Sequence, residues 1–174
     1  MPKTVIDIET TNFNDNPSPF IHENYLVSVG FKEEKNKVWG KTRYLCFNHN
    51  KGDRTLNAEE TLQKVLYRTE LLIGHNIKFD LSWLLECGFM YYGSVYDTMI
   101  FEYLKAASRP NVKLDLSSCC YRRRLPVKYN STEEYQKEKI GFERMPWDIV
   151  KEYGINDVNI THALYESQRK ELDE

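Results

Sequence analysis

Residues 4–11 read TVIDIETT, and no other segment constrains the fold as much. Val5, Ile6 and Ile8 form the apolar, β-branched run of a buried strand. Asp7 and Glu9 interrupt it two residues apart. Residues at that spacing in a strand share a face, so both carboxylates project together near the strand's carboxyl end. Open α/β sheets place their ligands there. Two anions so close repel, and desolvating them is costly. A divalent cation between them would remove both difficulties. The plain alternative is a strand end emerging into water.

The rest of the chain reads as strands first and helices later. Residues 12–24 are rich in Asn and Pro and read as loop. Residues 25–32 and 38–47 are strand-like, with Asn36 and Lys37 turning between them. An amphipathic helix is expected over 58–68, with Leu62, Val65 and Leu66 inward. A short strand at 71–74 ends on Gly74. Asn76 then stands at the N-cap position of a helix running to about Glu86, stopped by Cys87-Gly88. A last strand is expected at 94–97. Helices follow at about 98–106, 114–122, 132–139 and from Pro146 towards Lys170. Ser131 and Glu134 have capping-box spacing, and Pro146 suits a first helical position. This order predicts one α/β domain over residues 1–174, a central mixed β-sheet flanked by α-helices.

Two further patterns carry carboxylates. In GHNIKFD, residues 74–80, Asn76 and Asp80 lie one helical turn apart on one face. In residues 152–164 the apolar stripe runs Val150, Tyr153, Ile160, Leu164, and Asp157 fills the gap in it. A carboxylate on the core side of a helix needs a partner. No Lys or Arg stands three or four residues away to supply one. The alternative is a kink at Gly154 that swings Asp157 outward.

Composition narrows the classes. The chain has 24 basic and 26 acidic residues, a formal charge of −2, which is not the signature of a simple basic nucleic-acid binder. Arg122, Arg123, Arg124 and Lys128 form the one basic cluster. It reads first as a solvated helix face and second as a phosphate contact. Cys46, Cys87, Cys119 and Cys120 make no disulfide framework and read as reduced thiols of a cytoplasmic protein. Cys46 and His49 have ligand-like spacing, but no second pair completes a zinc site. No signal peptide precedes the first strand, and no apolar run approaches membrane-spanning length.

In this order, D-x-E on a strand, N-x3-D on a helix and Y-x3-D on a late helix resemble the DEDD superfamily of 3′–5′ exonucleases. The tyrosine identifies the DEDDy subgroup, which includes proofreading domains of DNA polymerases and RNase D-like ribonucleases. The histidine-bearing subgroup would need His at Glu152. VYDTMIFEYL (95–104) and KLDLSSCCYRRRL (113–125) are similar to further family segments. Asn12-Phe13 departs from the usual Gly-Leu.

The resemblance implies an RNase H-like fold and hydrolysis of phosphodiester bonds at the 3′ end of single-stranded DNA. It implies two divalent ions, Mg²⁺ or Mn²⁺, held by Asp7, Glu9, Asp80 and Asp157. One would sit on Asp7, Glu9 and Asp157; the other would bridge from Asp7, with Asp80 reaching it through water. Tyr153 and Glu9 would orient the attacking water. Phe13 would wedge against the terminal base, and Thr10, Thr11, His75 and Asn76 would touch the last nucleotides. A separate DNA polymerase is an implied partner, and a membrane is not. The runner-up is a 3′–5′ exoribonuclease. A third reading is a non-catalytic nucleic-acid-binding replisome module.

Overall fold

The computed structural model describes residues 1–106, 109, 111–127 and 131–172, the side chain of Asn14 aside. Lys128 of the basic cluster lies outside the described residues. Strand β1 (Lys3–Thr10) pairs antiparallel with β2 (Leu26–Lys35), which also pairs with β3 (Val38–Trp39) and β4 (Arg43–Cys46). On its other side β1 runs parallel to β5 (Leu71–Gly74), and β5 to β6 (Ser94–Asp97). The sheet is therefore mixed, in the order β3-β2-β1-β5-β6, with β4 on β2. Asn36 and Lys37 both take positive φ, as a tight hairpin turn between β2 and β3 requires.

The alternation of β1 divides the core. Ile6 and Ile8 face a cluster with Leu62, Val65 and Leu66 of α1 (Ala58–Arg68) and Trp83 and Leu84 of α2 (Ile77–Glu86). Val5 faces the other way, onto Val158 and Tyr165 of the long helix α6 (Trp147–Leu172). Between α2 and α6 in sequence come α3 (Thr98–Lys105), α4 (Leu116–Arg122) and α5 (Glu133–Lys137). The sheet is thus covered on both faces. Asp7 and Glu9, in phase with Val5, belong to the α6 side.

Helix α6 runs unbroken through Gly154 and Asp157 is buried, so the kink does not occur. It starts one residue after the expected place. The Pro146 carbonyl accepts its first bond, from Val150 N–H, so Pro146 precedes the helix. The Ser131–Glu134 capping box does not form: Thr132 is the N-cap of α5, with no side-chain capping bond.

Part of the arginine cluster turns inward, while Arg124 stays exposed as on a solvated face. Arg123 Nε donates to Glu102 Oε1 at 2.5 Å and Arg122 to Glu102 Oε2 at 3.2 Å. Glu102 is buried on α3, so these two arginines turn inward to neutralise it.

Candidate active site

Two close approaches bring α6 down onto β1. Gly30 stands opposite Asp7 in the β1–β2 register. A Cβ on it would lie 2.9 Å from Val158 and 3.0 Å from the ring of Tyr44. A Cβ on Gly154 would collide with the same ring. Tyr44 therefore fills the space that two missing side chains leave. Its hydroxyl donates to the Val150 carbonyl (3.2 Å) and accepts from Ser28 (2.8 Å), which ties β4 and β2 to α6. Burial and the nearby Glu9 push its phenol well above the ordinary range.

That packing sets Asp157 over Asp7 and Glu9. Ligand oxygens of the three carboxylates lie within 4.8 Å of one another. Glu9 and Asp157 are buried and Asp7 is half-buried. Three carboxylates this close repel one another when charged. The donor set is all oxygen and hard, which fits Mg²⁺ or Mn²⁺ and does not fit a thiolate-seeking metal.

Tyr153 lies one turn before Asp157, packed on Phe142 with ring centroids 5.5 Å apart. Burial first, then Glu9 and Asp157, push its phenol far above the ordinary value. The hydroxyl thus keeps its proton at neutral pH, and it hydrogen-bonds Asp157.

Asp80 is not in the 4.8 Å cluster. It comes from α2, the opposite layer, and its Oδ1 accepts the Ile8 N–H at 3.1 Å. The β1–β5 pairing is recorded only as far as Val5, so Asp80 takes up an N–H of β1 beyond it. Burial pushes its carboxyl up to about 8.

The expected nucleotide contacts divide. Thr10 ends β1 just after a bulge, buried except at a cleft that it shares with Phe13. Phe13 is 36% exposed and tilts against Tyr25. Thr11 is fully buried. Its hydroxyl accepts the Tyr25 N–H (2.8 Å) and donates to Asn24 (3.3 Å), so it ties down the loop instead of reaching outward. His75 is likewise occupied: Nε2 donates to the Leu114 carbonyl and Nδ1 meets the Thr98 hydroxyl, both at 2.8 Å. Burial lowers its pKa. Asn76 is exposed at the N-cap position of α2, but with positive φ and no side-chain capping bond. Its N–H donates to Asp97 (3.0 Å), which also caps α3.

Four residues that shape this site were not read as such from the sequence, Gly154 having been considered only as a kink. Asn24 accepts the Phe13 N–H (3.0 Å) and so holds the wedge candidate in place. Gly30 and Gly154 had a signal: a lone glycine inside a strand pattern or a helix pattern marks close backbone approach. Tyr44 had none, being one aromatic in an ordinary strand.

A model of 3′–5′ exonuclease sequences matches residues 5–173. The chain belongs to the 3′–5′ exonuclease family. A DNA polymerase of Bacillus phage SP01 is 24% identical over 94% of this chain and 20% of its own length. DNA polymerase I of Borreliella burgdorferi is 26% identical over 97% of the chain and 17% of its own length. The chain thus spans at most 20% of the length of these two curated relatives. Among solved structures, Brucella melitensis NrnC with bound Mg²⁺ superposes with a TM-score of 0.65 at 20% identity, covering 98% of this chain and 73% of that one. The same protein bound to pGG gives a TM-score of 0.66 at 19% identity, covering 98% and 73%. The family's RNase H-like fold is the mixed, helix-flanked sheet described above. Among the described residues no helix is long and apolar enough to cross a membrane.

Proposed function

We propose that this exonuclease is a metal-dependent enzyme of the tyrosine-bearing subgroup that removes nucleotides from the 3′ end of single-stranded DNA. The observation that carries the reading is Asp157, held in the apolar face of α6 within 4.8 Å of Asp7 and Glu9. A helix core offers no reason to aim an acid at two others unless a cation completes the group. Asp7, Glu9 and Asp157 would hold one divalent ion. A second would rest on Asp7, with Asp80 behind it. Such ions, when bound, supply the Lewis acidity and charge neutralisation that phosphodiester hydrolysis needs.

The chain's own groups do the rest. Tyr153, kept protonated by its burial and by the acids around it, donates a hydrogen bond and cannot act as a base at neutral pH. Glu9 accepts the proton of the attacking water and, with Tyr153, aims it at the phosphorus. Phe142 fixes the Tyr153 ring. Phe13 offers a face on which any terminal base can stack, which suits removal without regard to sequence. The polymerase relatives support a place in proofreading beside a polymerase. The pGG-bound structural neighbour supports the second reading, trimming of short RNA.

The deciding experiment incubates the protein with 3′- and 5′-labelled single-stranded DNA and RNA in Mg²⁺, Mn²⁺ or EDTA. Stepwise loss from the 3′ end of DNA, abolished by EDTA, is expected. Degradation of RNA alone replaces the first reading with the second. No cleavage with either metal leaves a binding module.

A further inference from the structure

The end of β1, the short 3₁₀ turn carrying Phe13 and the segment ahead of α6 enclose a cleft of about 560 Å³. It adjoins the carboxylates: Thr10 follows Glu9 in the chain, and Phe142 on its wall packs on Tyr153. Glu143 lines the same wall with a side chain only 5% exposed. Its Oε1 accepts from Arg144 Nε at 3.1 Å, whereas its Oε2 is buried and has no hydrogen-bond donor among the described residues. Gly141 lies so close to both oxygens that a Cβ there would collide with them. Tyr25, tilted against Phe13, is close enough to Glu143 for its charge to add to the effect of burial on the phenol. An acidic acceptor thus sits beside the aromatic pair, with one oxygen unfilled. Leaving such an oxygen buried is unfavourable, and a ligand that brings a donor relieves it once the Gly141 segment packed against Oε2 gives way.

The geometry points to Glu143 as an acceptor for the Watson–Crick edge of an unpaired 3′-terminal base. This rests on the exonuclease reading, which puts the scissile phosphate at Asp7, Glu9 and Asp157 and the terminal base next to it, in the cleft against Phe13. Every base presents at least one N–H on that edge: the amino groups of adenine and cytosine, N3–H of thymine, and two adjacent donors on guanine. In a single strand these edges are open to protein contact. In a duplex they are taken by the partner base. One acceptor therefore serves all four bases, favours guanine, and selects a frayed end over a paired one.

The test uses two 5′-fluorescein single-stranded DNAs that differ only in the last base, adenine or unsubstituted purine. Purine keeps the ring and loses the amino donor without adding bulk. Binding is read by anisotropy in Ca²⁺ and nucleotide release in Mg²⁺ or Mn²⁺. Wild type should favour the adenine end about 10-fold, the discrimination typical of base-edge hydrogen bonding. Glu143→Ala should bring the ratio to about one. Glu143→Gln, which keeps the shape and guards against misfolding of the alanine variant, should lower it part-way because a neutral acceptor is weaker. A wild-type ratio near one, or a ratio that both variants leave unchanged, overturns the assignment. Adenine preference in binding with no nucleotide released overturns the exonuclease reading and keeps the acceptor. Release without preference does the reverse, and a wild type that binds neither strand overturns both.

Discussion

Helix α6 passes two buried acidic centres that are built in opposite ways. At its carboxyl-terminal end Gln168 donates to Glu102 (3.0 Å), which also receives Arg122 and Arg123. Burial pushes the Glu102 carboxyl up, but the bonds from Gln168, Arg123 and Arg122 outweigh it and hold it below the ordinary value. At mid-helix Asp157 meets Asp7, Glu9 and the phenol of Tyr153. One centre is complete within the chain and serves the fold. The other gathers acids around acids, and on the reading proposed above a divalent cation would balance it.

The largest way to break this contrast is Asp157→Ala. Nucleotide release should fall to background, while the folded protein survives because a repelling charge has been removed. Mg²⁺ or Mn²⁺ should raise the melting temperature of wild type, as any ligand of the native state does, and leave that of the variant unmoved. Asp7→Ala should behave alike. Full activity in Asp157→Ala would end the functional reading.

Glu102→Ala should do the reverse. It strands two inward-turned cations, one almost wholly covered, and should cost about 3 kcal/mol in urea unfolding. Release per folded molecule should stay at the wild-type level. A variant as stable as wild type would show that the arginines find water instead.

The two centres also differed in how far the sequence disclosed them. Asp7, Glu9 and Asp157 were legible because periods of 2 and 3.6 fix which face a residue takes, and an acid in an apolar face stands out. The strands and nearly every helix were legible for the same reason, but the order of the strands in the sheet was not. The Glu102 centre was not. Its arginines lie twenty residues from their partner on a different helix, and a run of three Arg reads as surface until that partner is placed. Thr11 and His75 stand beside the motifs but spend their side chains within the fold, Thr11 on Tyr25 and Asn24 and His75 on Leu114 and Thr98, partners that only the tertiary structure brings near. Nor does helix phase show that Asp80 approaches from the opposite layer.

Tyr153→Phe sharpens the mid-helix centre without dismantling it. Ring packing on Phe142 is kept and one hydrogen bond to a charged group is lost. Single-turnover release should drop roughly 10- to 100-fold, matching the worth of such a bond. The steepness of the pH profile near neutrality should not change, since the phenol does not titrate there. A loss as complete as that of Asp157→Ala would make the phenol indispensable to the chemistry and displace the orienting role.

The smallest effect lies in pH, and its sign separates the two kinds of acid. Glu102 has a depressed carboxyl, so it binds fewer protons folded than unfolded. Its contribution is complete above the ordinary 4.5 and is lost as pH falls below it. Asp80 is the opposite case. Its folded value is raised from 3.8 to about 8, so between these limits the native state binds the extra proton and stability falls as pH rises. Replacing it by Asn, which keeps an acceptor for the Ile8 N–H, removes that slope. In EDTA, the unfolding free energy of Asp80→Asn minus that of wild type should therefore grow with pH from 5 to 7, by about 1.4 kcal/mol per unit at most. Adding Mg²⁺ should shrink the difference, because a cation nearby restores the charged form. A difference that stays flat with pH would mean that Asp80 is ionised in the metal-free fold and that its burial is already balanced by the N–H groups it accepts.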